Sequence, residues 1–345
     1  SKRNLSRQQR WRIEKIQAER AKRAEKRQGD DDDKLAAGEY GAERDGRVIA
    51  HFGRTLDVAE HAGETPVRCH LRANLEGLVT GDRVIWRQGE DGSGVVVARG
   101  QRDNVLERPD MRGLLKPVAA NIDQILIVFA VEPEPHAGLI DRYLVAAEST
   151  GIQPVLVLNK TDLLPDEGGE LRDLLARYEG LGYPVVATTT ASDDGLRALY
   201  TQLAGRTSVF VGQSGVGKSS LIDLLLPEES LRIGDLSVDS RKGRHTTTTA
   251  QLYRLPPPSA EIEAGELIDS PGIREFGLTH LDEQSVTDGF IEFRPFLGRC
   301  RFRDCRHRQE PGCALREAVD QGQVHAQRFA SYRRIVDSLD NDGTR

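Results

Sequence analysis

Ser208-Val209-Phe210-Val211-Gly212-Gln213-Ser214-Gly215-Val216-Gly217-Lys218-Ser219-Ser220 reads as an apolar strand, a glycine-rich loop and the start of a helix. Residues 212–219 satisfy Gly-x-x-x-x-Gly-Lys-Ser/Thr in full. The glycines let the backbone turn its N–H groups inward, where phosphate oxygens accept from them, and the helix adds the positive end of its dipole. Lys218 would bridge the β- and γ-phosphates, and Ser219 would ligate Mg²⁺. The candidate phosphate-binding set is Gly212, Gln213, Ser214, Gly215, Val216, Gly217, Lys218, Ser219 and Ser220. The bland alternative, a glycine-rich strand–helix turn, does not require the lysine and serine at the helix start.

Upstream, Asn159-Lys160-Thr161-Asp162 follows an apolar run at 154–158. The Asp162 carboxylate can accept from guanine N1–H and its exocyclic amine. Adenine lacks that donor pair and would leave a buried charge unpaired, which is costly. Asn159, the Lys160 stem and Thr161 would shape the same pocket. Ala187-Thr188-Thr189, closing the next strand, matches loosely the short Ser/Ala loop that guanine sites place against the base. Four residues alone also suit a surface loop; the phosphate loop downstream favours the guanine reading.

Downstream, Leu267-Ile268-Asp269-Ser270-Pro271-Gly272 fits Asp-x-x-Gly at the end of an apolar run. Asp269 would reach Mg²⁺ through water, and the Gly272 N–H would contact the γ-phosphate. Between lies Gly243-Arg244-His245-Thr246-Thr247-Thr248-Thr249, where a threonine is expected to close over Mg²⁺ in the GTP state. Thr247 is the first choice and Thr246 the second; a polar hairpin loop is the plain reading of that run. Ile273 stands where Ras-like enzymes carry the water-orienting Gln, and isoleucine cannot polarise water. His245 is the candidate replacement, with a structural or RNA-contacting histidine as the alternative. The candidate catalytic residues are therefore His245, Lys218 and Thr247. In Ras-like chains the phosphate loop comes first and the guanine motif late. Here the order is rotated, as a cut and rejoined fold allows. The segment after Gly272 then runs directly into the C-terminal region, which suits a nucleotide-driven reporter.

The 345 residues are 38% apolar and 30% charged, with net charge −6, which fits several domains with true cores. No apolar run approaches the roughly 18 residues a bilayer span needs, and the first residues lack the apolar stretch of a secretory signal. Residues 2–27 hold eleven Lys or Arg against three Glu. Such a segment is expected to be mobile when free and to seek a polyanion. Between 39 and 108, short runs at 46–52, 66–71, 83–88 and 94–99 predict a small barrel, OB-type first and SH3-like second. From 121 onward, strands (122–131, 154–158, 184–189, 208–211) alternate with helices (139–150, 170–179, 195–203, 218–226), the pattern of a doubly wound parallel sheet. Cys300-x4-Cys305-x-His307-x5-Cys313 supplies three thiolates and an imidazole, the ligand set of a closed structural Zn²⁺ site. Arg294, Arg299, Arg301, Arg303, Arg306 and Arg308 surround it. Cys69 reads as barrel core and His325 as surface. Clustered cysteines rather than a disulfide framework point to a reducing compartment.

On residues 159–162, 212–220, 243–248, 269–273 and the Cys300/Cys305/His307/Cys313 cluster, the chain resembles the small-ribosomal-subunit-dependent GTPase A family of circularly permuted bacterial GTPases. The resemblance covers nearly the whole chain. Its departures are the Thr-rich loop at 188 and the acidic run Asp30, Asp31, Asp32 and Asp33. It implies a basic tail (1–38), an OB-fold RNA-binding barrel (39–108), an α/β circularly permuted P-loop GTPase domain (109–279) and an α-helical zinc-binding domain (280–345). It also implies a cytoplasmic, monomeric factor that touches no membrane. Such a factor binds the small ribosomal subunit and its rRNA late in assembly and cycles between GTP and GDP. Its slow turnover would be stimulated by the subunit, with Zn²⁺ and Mg²⁺ as cofactors. The barrel shows few aromatics, Phe52 and Trp86, so shape or backbone recognition is expected over base stacking. A passive RNA scaffold and a metabolic P-loop enzyme are the competing readings. The guanine motif and the lack of a second-substrate lid weigh against the latter.

Overall fold

The computed structural model describes residues 40–342 apart from 54, 73–74, 76, 111–112, 166–168, 227–249, 258, 271–272 and 274–280. The basic tail 1–38, His245, Thr246, Thr247 and Gly272 lie outside the described residues. The chain divides into two units, one ending at Gln101 and one starting at Arg102.

In the first unit, inward apolar residues alternate with outward polar ones, the period-2 signature of strands with one buried face. The strands are β1 (Arg44–Phe52), β2 (Thr55–Ala59), β3 (Val67–Leu71), β4 (Arg83–Gln88) and β5 (Gly94–Arg99). β1 pairs antiparallel with β2, β2 with β3, and β5 with β4, while β3 runs parallel to β5. β4 returns to β1 and closes a five-stranded barrel, which removes the free edges of an open sheet. Val48, Leu56, Val58, Cys69, Val84, Trp86 and Val96 fill it. The turn before β4 is pinned by the buried Asp82 carboxylate, which accepts from the Val79 N–H at 2.8 Å. β2 was not anticipated from sequence, because five residues with two inward apolar side chains give almost no periodic signal.

The second unit opens with an antiparallel hairpin, β6 (Val105–Pro109) and β7 (Leu115–Ala120). Then follow β8 (Gln124–Ala130), α1 (Ala137–Glu148), β9 (Gln153–Asn159), α2 (Glu170–Gly180), β10 (Val185–Ala187), α3 (Arg197–Leu203), β11 (Thr207–Gly212), α4 (Lys218–Leu225), β12 (Gln251–Arg254) and β13 (Glu266–Asp269). The order within this unit is β10-β9-β8-β11-β13-β12. The first five strands are parallel and β12 is antiparallel to β13. All residues of β8 and β11 are buried, as expected for parallel strands covered on both faces. Leu126, Val128, Ala130, Val155, Val157 and Phe210 pack with Leu199 and Leu203 of α3 and Leu221 and Ile222 of α4. α1 packs against β8 and β9.

Beyond the sheet lie α5 (Glu283–Gly289), a 3₁₀ segment (Ile291–Phe296), α6 (Ala314–Asp320) and α7 (Ala326–Asp342). Phe290 and Phe293 stack with centroids 4.8 Å apart, and both meet Tyr332 of α7 edge-on. Arg328 of α7 is buried against the sheet-covering helices. It donates to Asp141 of α1 and makes a two-pronged contact with Glu292, Nε to Oε1 at 2.6 Å and Nη2 to Oε2 at 3.0 Å. Tyr178 of α2 donates to the same Asp141 at 2.6 Å. These contacts join the C-terminal helices to the sheet domain. Among the described residues no helix is long and apolar enough to cross a membrane.

Candidate functional site

In an open parallel sheet, ligands sit outside the carboxyl ends of the strands, where neighbouring connections leave in opposite directions. Here the chain leaves β8 toward β9 and leaves β11 toward β13, so the crevice lies at the β8/β11 boundary. Three motifs read from sequence end on this edge. Asn159 closes β9, Gly212 closes β11 and Asp269 closes β13. Because Ser208 pairs with Leu267 in parallel register, Asp269 lies at the same end as Gly212.

The phosphate loop needs glycine at both of its bends. Gly212 has φ +141°, and a Cβ there would lie 2.2 Å from the Val128 carbonyl oxygen. Gly217 has φ +92°, and a Cβ there would meet the Asn159 amide nitrogen at 2.4 Å. Lys218 opens α4, whose first turn carries no acidic residue to compete for an anion. Its ammonium donates to the carbonyls of Gly212 at 2.7 Å and Gln213 at 2.6 Å, which holds it within the loop. Ser219 and Ser220 follow in the first turn.

The guanine motif is fastened to that loop. Buried Asn159 donates from Nδ2 to the Val216 carbonyl at 3.0 Å, and its Oδ1 accepts from the Thr188 hydroxyl at 3.2 Å. Lys160, in the left-handed region at φ 59°, runs its stem alongside and donates to the carbonyls of Gly215 at 3.1 Å and Glu132 at 2.7 Å. Thr161 donates from both N–H and hydroxyl to the Thr188 carbonyl. Exposed Asp162 accepts from the Thr189 hydroxyl, which itself accepts from the Ala191 N–H at 3.0 Å. The loosely matched 187–189 loop is thus the frame that aims Asn159 and Asp162. The sequence signal was the position of that loop after β10, not its residue types. Ile273 is buried, and its N–H points back to Ser270. It faces the interior and cannot position water.

A second cluster gathers the sequence-read metal ligands. The donor atoms of Cys300, Cys305, His307 and Cys313 all lie within 4.8 Å of one another. A tetrahedral Zn²⁺ with ordinary bond lengths has S···S edges of about 3.8 Å and N···S edges of about 3.6 Å. His307 Nδ1 lies 3.5 Å from Cys300 Sγ, 3.7 Å from Cys305 Sγ and 3.3 Å from Cys313 Sγ, and the Cys300 and Cys313 sulfurs are 4.0 Å apart. The donor set and its spacing fit a closed structural zinc. Burial lowers the His307 pKa and so favours the neutral ring that a metal requires. Burial pushes the Cys305 thiol up to about 12, so a divalent cation is what would make these sulfurs thiolates.

Sequence reading overlooked the support of this loop. The Glu310 carboxylate accepts from the N–H groups of Arg306 at 3.0 Å, Arg308 at 2.7 Å and Gln309 at 3.0 Å. Hydrogen bonds from its own N–H and from those neighbours hold its carboxyl down at about 2. Arg306 pairs with Glu283 of α5, and Arg308 lies 3.6 Å from Asp337 of α7.

A phosphate loop that follows its guanine motif in the chain, with both on one sheet edge, defines a circularly permuted P-loop GTPase. A family profile described as RsgA GTPase matches residues 99–279. The chain belongs to the RsgA GTPase family. It is 71% identical to the small ribosomal subunit biogenesis GTPase RsgA of Chromohalobacter salexigens, over 98% of this chain and 99% of that one. It is 55% identical to the protein of the same name from Hahella chejuensis, over 98% and 97%. Among solved structures it resembles YjeQ from Thermotoga maritima, with 31% identity, a TM-score of 0.67, and coverage of 86% of this chain and 99% of that one. It also resembles YloQ, described as a circularly permuted GTPase, with 27% identity, a TM-score of 0.67, and coverage of 87% and 96%.

Proposed function

We propose that this GTPase is a nucleotide-driven switch in late maturation of the small ribosomal subunit. It binds the subunit and its rRNA, and the subunit accelerates its hydrolysis of GTP to GDP and phosphate. The observation that carries this reading is the joining of the guanine-type and phosphate loops through Asn159 and Lys160, in a chain whose relatives bear the name of small-subunit biogenesis GTPases.

In this reading Asp162 selects guanine, aimed by Thr189, while Asn159, Lys160 and Thr161 line the base pocket. Residues 212–220 cradle the phosphates and Lys218 turns from its carbonyl partners to the β- and γ-oxygens. Thr246 or Thr247 closes over the γ-phosphate, and the Gly272 N–H contacts it. Ser219, Thr247 and Asp269 would hold Mg²⁺, which when bound neutralises charge on the phosphate oxygens. Water attacks the γ-phosphorus, the bond to the β–γ bridging oxygen breaks, and GDP leaves with that electron pair. Ile273 is buried, so His245 or a group from the subunit positions the water.

The segments act as a basic tail (1–38), an RNA-binding barrel (39–108, its own strands ending at Arg99 and the hairpin strand β6 at its end belonging to the second unit), the switch domain (109–279) and a module carrying one structural zinc (280–345). The strand order β1-β2-β3-β5-β4 with closure onto β1 supports an OB-type barrel over an SH3-like one. Free rather than paired cysteines support action in the cytoplasm, and the factor works as a monomer. GTP turnover measured with and without purified small subunits tests the reading. A many-fold rise is expected, and a flat rate would leave a passive RNA scaffold.

A further inference from the structure

The outward face of β3 carries Arg68 and His70 at alternate positions, with Arg72 just after the strand, while Cys69 between them is buried in the barrel. Asp57 of β2 stands directly opposite Arg68. Its two oxygens hold the guanidinium, Oδ1 on Nε and Oδ2 on Nη2 at 3.2 Å. Fixed this way, the guanidinium lies over the Phe52 ring, 4.6 Å from its centroid. Phe52 is 41% exposed and the Arg68 side chain 53% exposed. Trp86, the other aromatic of the strands, is 2% exposed and closed inside the core.

A large ring left in water at a hairpin end, with a cation clamped above it, gains little for folding. It does form a fixed π-surface. Planar guanidinium and aromatic faces are what unpaired nucleobases stack upon, and stacking tolerates any base because each has a π-face. The His70 and Arg72 side chains on the same face are polar groups that suit the backbone of the same strand of nucleic acid. We propose that Phe52 and Arg68 form a stacking platform for one unpaired nucleobase of RNA, an assignment that rests on the RNA-binding reading of the barrel. Asp57 already balances the Arg68 charge, so the platform contributes stacking rather than counterion release.

The test uses the full chain and an unstructured RNA decamer with 2-aminopurine at alternate positions. The wild-type protein should quench the fluorophore on binding. Phe52→Leu and Arg68→Lys should each bind about tenfold more weakly and lose the quenching. Neither should change the slope of log affinity against log salt. Arg68→Lys keeps the charge and discards the plane, so wild-type binding by that variant overturns the platform. Quenching that survives in Phe52→Leu, or never occurs on binding, overturns it as well and leaves the RNA reading standing. A slope lowered by about one in a third variant, Arg68→Ala, with quenching intact, assigns Arg68 to phosphate instead. Failure of the wild-type protein to bind the decamer at all removes RNA binding, and the platform with it.

Discussion

The nucleotide crevice and the C-terminal Cys/His module are held together by opposite means. In the crevice side chains donate to backbone carbonyls, as with Asn159 at the end of β9 to Val216 beyond β11 and Lys218 to Gly212 of its own loop. The module is joined to the sheet by side chains of opposite charge far apart in sequence, with Arg328 between Asp141 and Glu292. Backbone partners are present whatever residue stands there, so the crevice depends on strand ends and on a few side chains that do chemistry. Charged partners must match one another, so the module depends on pairs. Damage to the first should therefore remove activity and spare stability, and damage to the second should do the reverse.

Lys218→Ala is the sharpest way to break that contrast. It should lower GTP turnover by about a thousandfold, in the range for loss of a preorganised charge at a reacting phosphate. The denaturation midpoint should shift little, since the ammonium holds carbonyls of its own loop, Gly212 and Gln213, rather than packing in the sheet core. Normal turnover would remove the loop from the site. Arg328→Met should act the other way. Removing one partner from a buried ion pair leaves uncompensated charge, here Asp141 and Glu292, and costs about 3 kcal/mol or more. Urea denaturation should show that loss while GTP affinity at low temperature holds. Asp141→Asn with Arg328→Met should recover part of it, and no recovery would mean that Arg328 serves packing alone.

The same contrast decides how much was legible beforehand. Residues 212–219 could be placed from sequence because the strand, the loop and the helix that make the cradle are contiguous. Asn159–Asp162 could be placed because it follows an apolar run. The Cys/His cluster that could hold a metal was legible because its four donors fall within fourteen residues. Arg328 and Asp141 are 187 residues apart, and no period or spacing links them. β12 and β2 were missed because four or five residues leave too few inward positions to show alternation. Thr188 and Thr189 were read only as a loop near the base. Their task depends on β10 lying beside β9, a fact of topology rather than composition.

Glu310 sits between the two regimes, a charged side chain that grips backbone. Glu310→Ala should free the N–H groups of Arg306, Arg308 and Gln309 around His307 and loosen a ligand held at φ 57°. Zinc release to a chromogenic chelator should speed up by about tenfold, the lower end for loss of an outer-shell partner. Glu310→Gln, which keeps one acceptor oxygen, should fall between. An unchanged release rate in the alanine variant would show that the four ligands fix the loop unaided.

The smallest effect belongs to Thr189, and it sharpens the picture of the crevice most. Its hydroxyl donates to Asp162 and accepts from the Ala191 N–H. Thr189→Val keeps the shape and deletes both bonds. Asp162 is exposed, so water replaces the lost donor and the carboxylate is freed to rotate rather than stranded. The loss is that of one surface-accessible hydrogen bond, about 1 kcal/mol or a fivefold weaker affinity for guanine nucleotide. Selectivity over adenine should narrow by the same factor, since only guanine uses the aimed carboxylate. Single-turnover hydrolysis at saturating GTP should not change, because the reacting phosphate sits at the other end of the nucleotide. Reduced chemistry with intact affinity would mean that the base loop and the phosphate loop move as one body through Asn159.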